Sequence, residues 1–387
     1  MAGPDMTGGP SPVDVERRLR DLLTDDHLTV RVPARALDAV HTGVRRRRRR
    51  ARLASATAVV AVAATVGAVA TPALLHRSSR APHDHVVTAK PEPWTSGPAT
   101  ALPTALRSPS AMAVSGGVVW VAGSGVLARV DATSRRVTSM PTGAVSDLAA
   151  TPRHLWVALR PANGTARSCS LELHETNSGS SVSTYTLPCD ADGATGPVVT
   201  ANGPRAWVAS DDGTRTHLRL YTANTTSPPV ERVLPGRLAG PRPLAIGGTS
   251  VYVVTSGTDG AVLHRLSATD LTPLATIAVP GARLVAYGSD QLFVADAASV
   301  AAYRPDLTAR RTFVAGAVSA LTTGDDLVWC DPGGGKLSGL DAHAGTAAAT
   351  AAFSPGPVGL LRADGTLLWS VQVYGGRAVV LSAQRAA

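Results

Sequence analysis

From residue 99 to the C-terminus apolar and polar positions alternate at a period of two, and no stretch repeats at the spacing of an amphipathic helix. Within that alternation an aromatic residue recurs inside a β-rich run. Trp120 sits in Val118-Val119-Trp120-Val121-Ala122 and Trp156 in Leu155-Trp156-Val157-Ala158; Trp207, Tyr252, Phe293, Trp329 and Trp369 follow in like settings. Successive anchors are 36, 51, 45, 41, 36 and 40 residues apart. A four-stranded unit of a propeller needs roughly 40–50 residues, so the spacing predicts one such unit around each aromatic. Each unit reads as a short apolar strand, a turn such as Ser115-Gly116-Gly117, the aromatic strand, a third strand and, after a polar turn, a fourth. The predicted fold class is therefore all-β, a seven-bladed β-propeller over 99–387.

The chain ends extend this prediction. The last unit holds a strand near Val358–Leu361, the Trp369 strand and a third at Ala378–Leu381, and then the chain stops. An extra β-like piece, Ala99–Leu106, precedes the first unit. Pairing it with Ala378–Leu381 would supply the missing strand and cover an open edge.

Upstream the pattern changes. Leu53 to Leu75 is a run of 23 residues without a charge, and about 20 helical residues cross the hydrocarbon core. Directly before it stand Arg45, Arg46, Arg47, Arg48, Arg49, Arg50 and Arg52. By the positive-inside rule they place the N-terminus in the cytosol and everything after the span outside. The competing reading is a cleaved signal, for which Ala68-Val69-Ala70 has the small-x-small form. The expected organisation is a cytosolic segment over 1–52, a transmembrane helix over 53–75, a proline-rich linker over 76–98 and the propeller over 99–387. Within the first segment, Ser11-Pro12 reads as a helix start, with Val15, Leu19, Leu22 and Leu23 on one face. A helix there could relay a signal to a cytosolic partner.

Charge adds little beyond topology. The formal net charge is +9. Residues 1–52 carry 12 Arg and 7 acidic residues, leaving 25 basic against 21 acidic for everything after. The basic run abuts an apolar span, so it marks a membrane edge and no nucleic-acid partner is expected.

Cys169 and Cys189 flank two alternating strands around Asn177-Ser178-Gly179-Ser180. A hairpin folded about Gly179 would set the two cysteines opposite each other, and outside the cell a disulfide can persist. Two free buried thiols are the alternative. Cys330 reads as a small buried hydrophobe.

The blade pattern, an aromatic-Val-Ala strand followed by a strand ending near Asp and a Thr- or Gly-containing turn, resembles the YVTN, quinoprotein-like and streptogramin-lyase-like propellers. The resemblance covers residues 99–387 and implies fold more than activity. A quinoprotein would show a Trp after the turn; Leu340-Asp341-Ala342-His343-Ala344-Gly345-Thr346 matches that turn without the Trp. A lyase of the streptogramin type would need a histidine with carboxylates holding magnesium. His174, His217 and His264 are the candidates, but they fall in different columns of successive third strands. Asp211-Asp212-Gly213, Asp259-Gly260 and Asp325-Asp326 read as turns, and Gly333-Gly334-Gly335-Lys336 as a hairpin without phosphate-loop spacing. No catalytic, metal or cofactor-binding residue is assigned and no cofactor is expected. The function expected is a membrane-anchored extracytoplasmic binding module for an envelope protein, glycan or small molecule. An extracytoplasmic lyase or hydrolase is the first alternative and a transmembrane signal relay the second.

Overall fold

The computed structural model describes residues 91–385, except 162–167, 191–195, 316–317, 333–335 and 354–358. The helices expected in 1–52, the arginine run and the span at 53–75 lie outside the described residues. Among those described, no helix is long and apolar enough to cross a membrane.

All regular structure described is strand. Four-stranded antiparallel meanders cover Pro109–Pro141, Ala144–Pro188, Val198–Pro235 and Leu284–Ala315. A five-stranded sheet, Arg237–Ala278, adds the two-residue strand Arg237–Leu238 beside Ser250–Gly257. The remaining strands form one nine-stranded sheet, in which the meanders Ala320–Ala352 and Leu360–Arg385 are joined through Glu92–Ser96. Six sheets result because that N-terminal strand is hydrogen-bonded on both sides. It runs parallel to Ala347–Ala352, with Trp94 opposite Ala351, and antiparallel to Arg377–Arg385, with Trp94 opposite Arg385.

The aromatic repeat has a packing cause. Trp120, Trp156, Trp207, Tyr252, Phe293, Trp329 and Trp369 are all buried, and each shares a core cluster with the next meander around the ring. Trp120 shares a core cluster with Leu155 and Val157, Trp329 with Leu361 and Leu368, and Trp369 with Val119 and Val121 of the first sheet. A large flat side chain on the second strand fills the gap between two twisted sheets and removes apolar surface from both. The first strands of successive meanders touch in a closed cycle, the last, Leu360–Asp364, meeting the first, Pro109–Ser115. Sheets arranged radially around an axis in this way make a β-propeller.

Closure by the N-terminal segment is present. Thr100 and Ala101 pair with Val380 and Val379, and the Leu102 amide donates to the Ala378 carbonyl at 2.9 Å. The paired segment also begins earlier than expected. Glu92–Ser96, inside the stretch read as linker, is a strand because Trp94 is an anchor: it is buried and meets Trp329 edge-on at 4.6 Å. Three prolines over 91–98 hid this, although only Pro93 lies within the strand and Pro91 and Pro98 flank it.

Cys169 and Cys189 form the disulfide, with Cα atoms 5.4 Å apart. The register differs from the expected one. Cys169 lies opposite Leu187, because the turn is closed by the Glu175 and Ser180 backbones and a bulge follows between Ser181 and Ser183. Cys189 is two residues beyond Leu187 and so lies on the same side of the strand. Cys330 is free and buried, and burial pushes its thiol up to about 12.

The turn that the sequence shows clearly only at Asp341–Gly345 recurs. Backbone amides of Arg135, Gly179, Leu271 and Gly345 each donate to the carbonyl four residues back, and all four residues have positive φ. The non-glycine members at Arg135 and Leu271 conceal the repeat from a search for glycines.

Candidate binding site at the propeller axis

Where the first strands begin, they converge on a cavity of about 120 Å³ at the axis, open to solvent. Its wall is largely apolar, with Ala111, Leu284, Leu321 and Leu361 among its residues. Three charges stand in it: Asp147, Arg242 and Arg362.

Local backbone irregularity aims these groups. In Pro109–Ser115 the pairing slips between Pro109 and Ala111, and in Ala144–Ala150 it slips between Val145 and Asp147. Ser110 and Ser146 are therefore the bulged residues, and a bulge bends a strand and redirects its side chains. Both hydroxyls stitch neighbouring sheets. Ser110 Oγ donates to the Val145 carbonyl at 2.8 Å, and Ser146 Oγ to the Pro197 carbonyl at 2.6 Å. The bulge at Ser146 leaves Asp147 on the cavity wall, where its Oδ2 accepts the Val199 amide at 2.9 Å. Arg242 precedes the strand Leu244–Gly247 and is held by its backbone, whose carbonyl accepts the Val285 amide at 2.9 Å. Arg362 lies within Leu360–Asp364.

The electrostatics are one-sided. Arg362 Nη2 is 3.7 Å from Asp147 Oδ1, with the two side chains 13% and 15% exposed. Arg362 Nη1 donates to the Leu361 carbonyl at 2.9 Å, and Arg242 Nη1 reaches the Leu321 carbonyl at 3.4 Å. Burial first, and then the charge of Arg242, push the Arg362 guanidinium down to about 9, while Asp147 opposes them. Burial lowers Arg242 as well. Arginine side chains keep their proton in proteins, so two positive charges share one carboxylate.

A second charged cluster ties sheets together. Arg237 pairs with Asp190 and stands 3.7 Å from Asp211. These residues come from three successive parts of the chain: the segment after the Ser181–Pro188 strand, the end of Arg205–Asp211 and the short strand Arg237–Leu238. Asp211 is thus not a turn residue, as its neighbours suggested. It pairs with Thr216 at a strand end and is almost fully buried, which raises its carboxyl, while the Gly213 amide and Arg237 pull the other way.

The histidines do not converge. His174 bonds the Gly179 carbonyl at 2.8 Å and Glu172 at 2.9 Å. His217 lies between Glu231 at 2.8 Å and Asp212 at 3.1 Å, and His264 meets Thr255 Oγ1 at 2.9 Å. Every one of these partners belongs to the histidine's own meander, in a strand or in a turn between its strands. Among the described residues no cluster of His, Cys, Asp and Glu could hold a metal ion.

Asp147, Arg242 and Arg362 were not singled out in the sequence. The signal was a charged residue inside an otherwise apolar first strand, as in Ala144-Val145-Ser146-Asp147-Leu148 and Leu360-Leu361-Arg362-Ala363. Their convergence follows only from ring closure, which brings residues more than two hundred positions apart to one axis.

No protein family and no curated protein matches this sequence. Solved structures do match in shape. BamB from Moraxella catarrhalis aligns with a TM-score of 0.52 at 14% identity, over 75% of this chain and 99% of its own. A chain of the mitotic checkpoint complex aligns with a TM-score of 0.55 at 16% identity, over 82% and 98%. Hydrazine synthase from Kuenenia stuttgartiensis aligns with a TM-score of 0.56 at 11% identity, over 73% and 96%. At such identities the likeness concerns fold alone, and it agrees with a β-propeller.

Proposed function

We infer that the protein is a single-pass, envelope-anchored propeller of seven blades that binds an envelope protein through the end of the ring bearing the axial cavity. Seven blades follow if the nine-stranded sheet is taken as two blades bridged by Glu92–Ser96. The anchor is the span at 53–75, with Arg45 to Arg52 on the cytosolic side. One neighbour in fold is a component of a multiprotein complex, the mitotic checkpoint complex.

The observation that carries the reading is convergence: first strands begin, and second strands end, around one charged cavity. Loops at such an end combine residues from many blades into one surface. At the same end the strand Leu367–Tyr374 runs past the cavity residue Leu360, which pairs with Val371, and leaves Val373 and Tyr374 51% and 61% exposed.

A photo-crosslinker tests this. Placed at Tyr374 in the full chain in native envelopes, it should give a discrete protein adduct. Placed at Val182, exposed on an outer strand, it should not. Equal labelling from both positions, or adducts only from Val182, would contradict the assignment of the surface.

A further inference from the structure

We propose that the axial cavity is a binding site for a small carboxylate, held by Arg242 and Arg362 and oriented by Asp147. The inference does not depend on a protein partner; it rests on the cavity and on the three charges that line it.

Three observations converge. First, a guanidinium has five N–H donors in a planar fork suited to a carboxylate. Each arginine commits only Nη1 to a backbone carbonyl, Leu321 for Arg242 and Leu361 for Arg362. Both residues line a cavity of about 120 Å³, enough for several waters or a small organic acid, and Arg362 Nη2 stands 3.7 Å from Asp147. Second, two cations against one carboxylate leave one positive charge on side chains that are largely buried, Arg362 being 13% exposed, and a buried charge is costly unless paired. The lowered basicity of both arginines is that same cost seen from the proton's side. A monoanion balances the site, whereas a dianion would add a net negative charge beside Asp147. Third, Ala111, Leu284, Leu321 and Leu361 give the wall an apolar character. A cavity with an apolar wall and a few converging polar groups is the usual form of a small-molecule site. It favours a short aliphatic tail on the ligand over bare phosphate.

The seryl hydroxyls of the wall do not set the specificity, because Ser110 and Ser146 already donate to carbonyls of the adjoining sheet and Ser319 to Asp331 at 2.9 Å. Asp147 is fixed by the Val199 amide. Its place beside Arg362 lets it turn that guanidinium toward an incoming carboxylate and oppose a second negative charge.

The test is titration calorimetry on the full chain in detergent, in a buffer free of carboxylate and phosphate. The probes are butyrate, its neutral analogue butyramide and inorganic phosphate. Saturable binding of butyrate at one site, with butyramide silent and phosphate at least several-fold weaker, is expected. Arg362→Gln should weaken butyrate binding tenfold or more. Asp147→Asn keeps an oxygen for the Val199 amide and removes the competing charge, so it should tighten butyrate binding several-fold, a direction that misfolding cannot mimic. Tighter binding of phosphate than of butyrate would overturn the carboxylate assignment. Butyrate binding unchanged in both variants, or none in a wild-type protein that melts cooperatively, would overturn the site.

Discussion

Replacing Trp94 by Ala should destabilise the propeller far more than its position near the edge of the described chain suggests. Trp94 is 6% exposed and belongs to the cluster of Trp329, Leu337, Phe353, Leu361 and Leu381, meeting the Trp329 ring edge-on at 4.6 Å. A buried Trp removes roughly 150–250 Å² from water. At about 25 cal/mol per Å² that is roughly 4–6 kcal/mol as an upper bound. Measured Trp-to-Ala changes in cores cost about 3–5 kcal/mol. For a domain of about 300 residues, an unfolding entropy of roughly 2 cal/mol/K per residue turns this into a fall in Tm of about 5–8 °C. The control lies on the same strand. Glu92 bonds Arg385 at 2.8 Å, but both are exposed, so Glu92→Ala should cost within about 1 kcal/mol, under roughly 2 °C. Calorimetry or circular dichroism on the full chain reads both. A Trp94→Ala shift no larger than that of Glu92→Ala would refute the claim that this strand is part of the core and closes the ring.

Other expectations concern charge and thiols. Native protein treated with an alkylating reagent should take up none, and unfolding without reductant should expose one thiol, Cys330; three reactive thiols would remove the Cys169–Cys189 bond, which a loop of about 21 residues makes worth roughly 3 kcal/mol. Arg237→Ala should cost about 1–3 kcal/mol in urea unfolding, since it strips a partner from the buried Asp190 and Asp211 while Arg237 itself is partly solvated; a change below the error of the midpoint would sink that tie. Burial lowers the basicity of His264, so the folded state favours its neutral form, and its contribution is present above about pH 6.5 and lost as pH falls through the lower folded value. His264→Gln should therefore flatten the decline in stability on going from pH 7 to 5, and parallel curves for variant and wild type would refute the assignment.

Strand order, turns and aromatic anchors were legible because each is written within one unit. Period-two alternation sets the strands, and one aromatic per unit marks the second strand, whose neighbour across the gap is the next meander. Closure by Thr100 and Ala101 was legible from counting strands. Trp94 was missed because the prolines around it outweighed one aromatic whose partner, Trp329, lies more than two hundred residues away. The hairpin register failed by a bulge that nothing in Ser181-Val182-Ser183 announces. The axial charges were illegible as a group because each comes from a different unit. Asp147 alone reads as an oddity in an apolar strand; beside Arg362 it becomes half of an ion pair.

Hydrogen exchange of the full chain, compared between native envelopes and the purified protein, tests the assignment of the binding surface most directly. The turns Gly123–Val126, Gly257–Gly260 and Tyr374–Arg377 lie at the cavity end, and Ser115–Val118, Asn202–Arg205 and Asp364–Leu367 at the opposite end. A partner seated on the cavity end should protect the first set in envelopes and release it on purification, with the second set exchanging alike in both. Protection confined to the second set, or no difference at either end, would contradict a partner bound at the axial face.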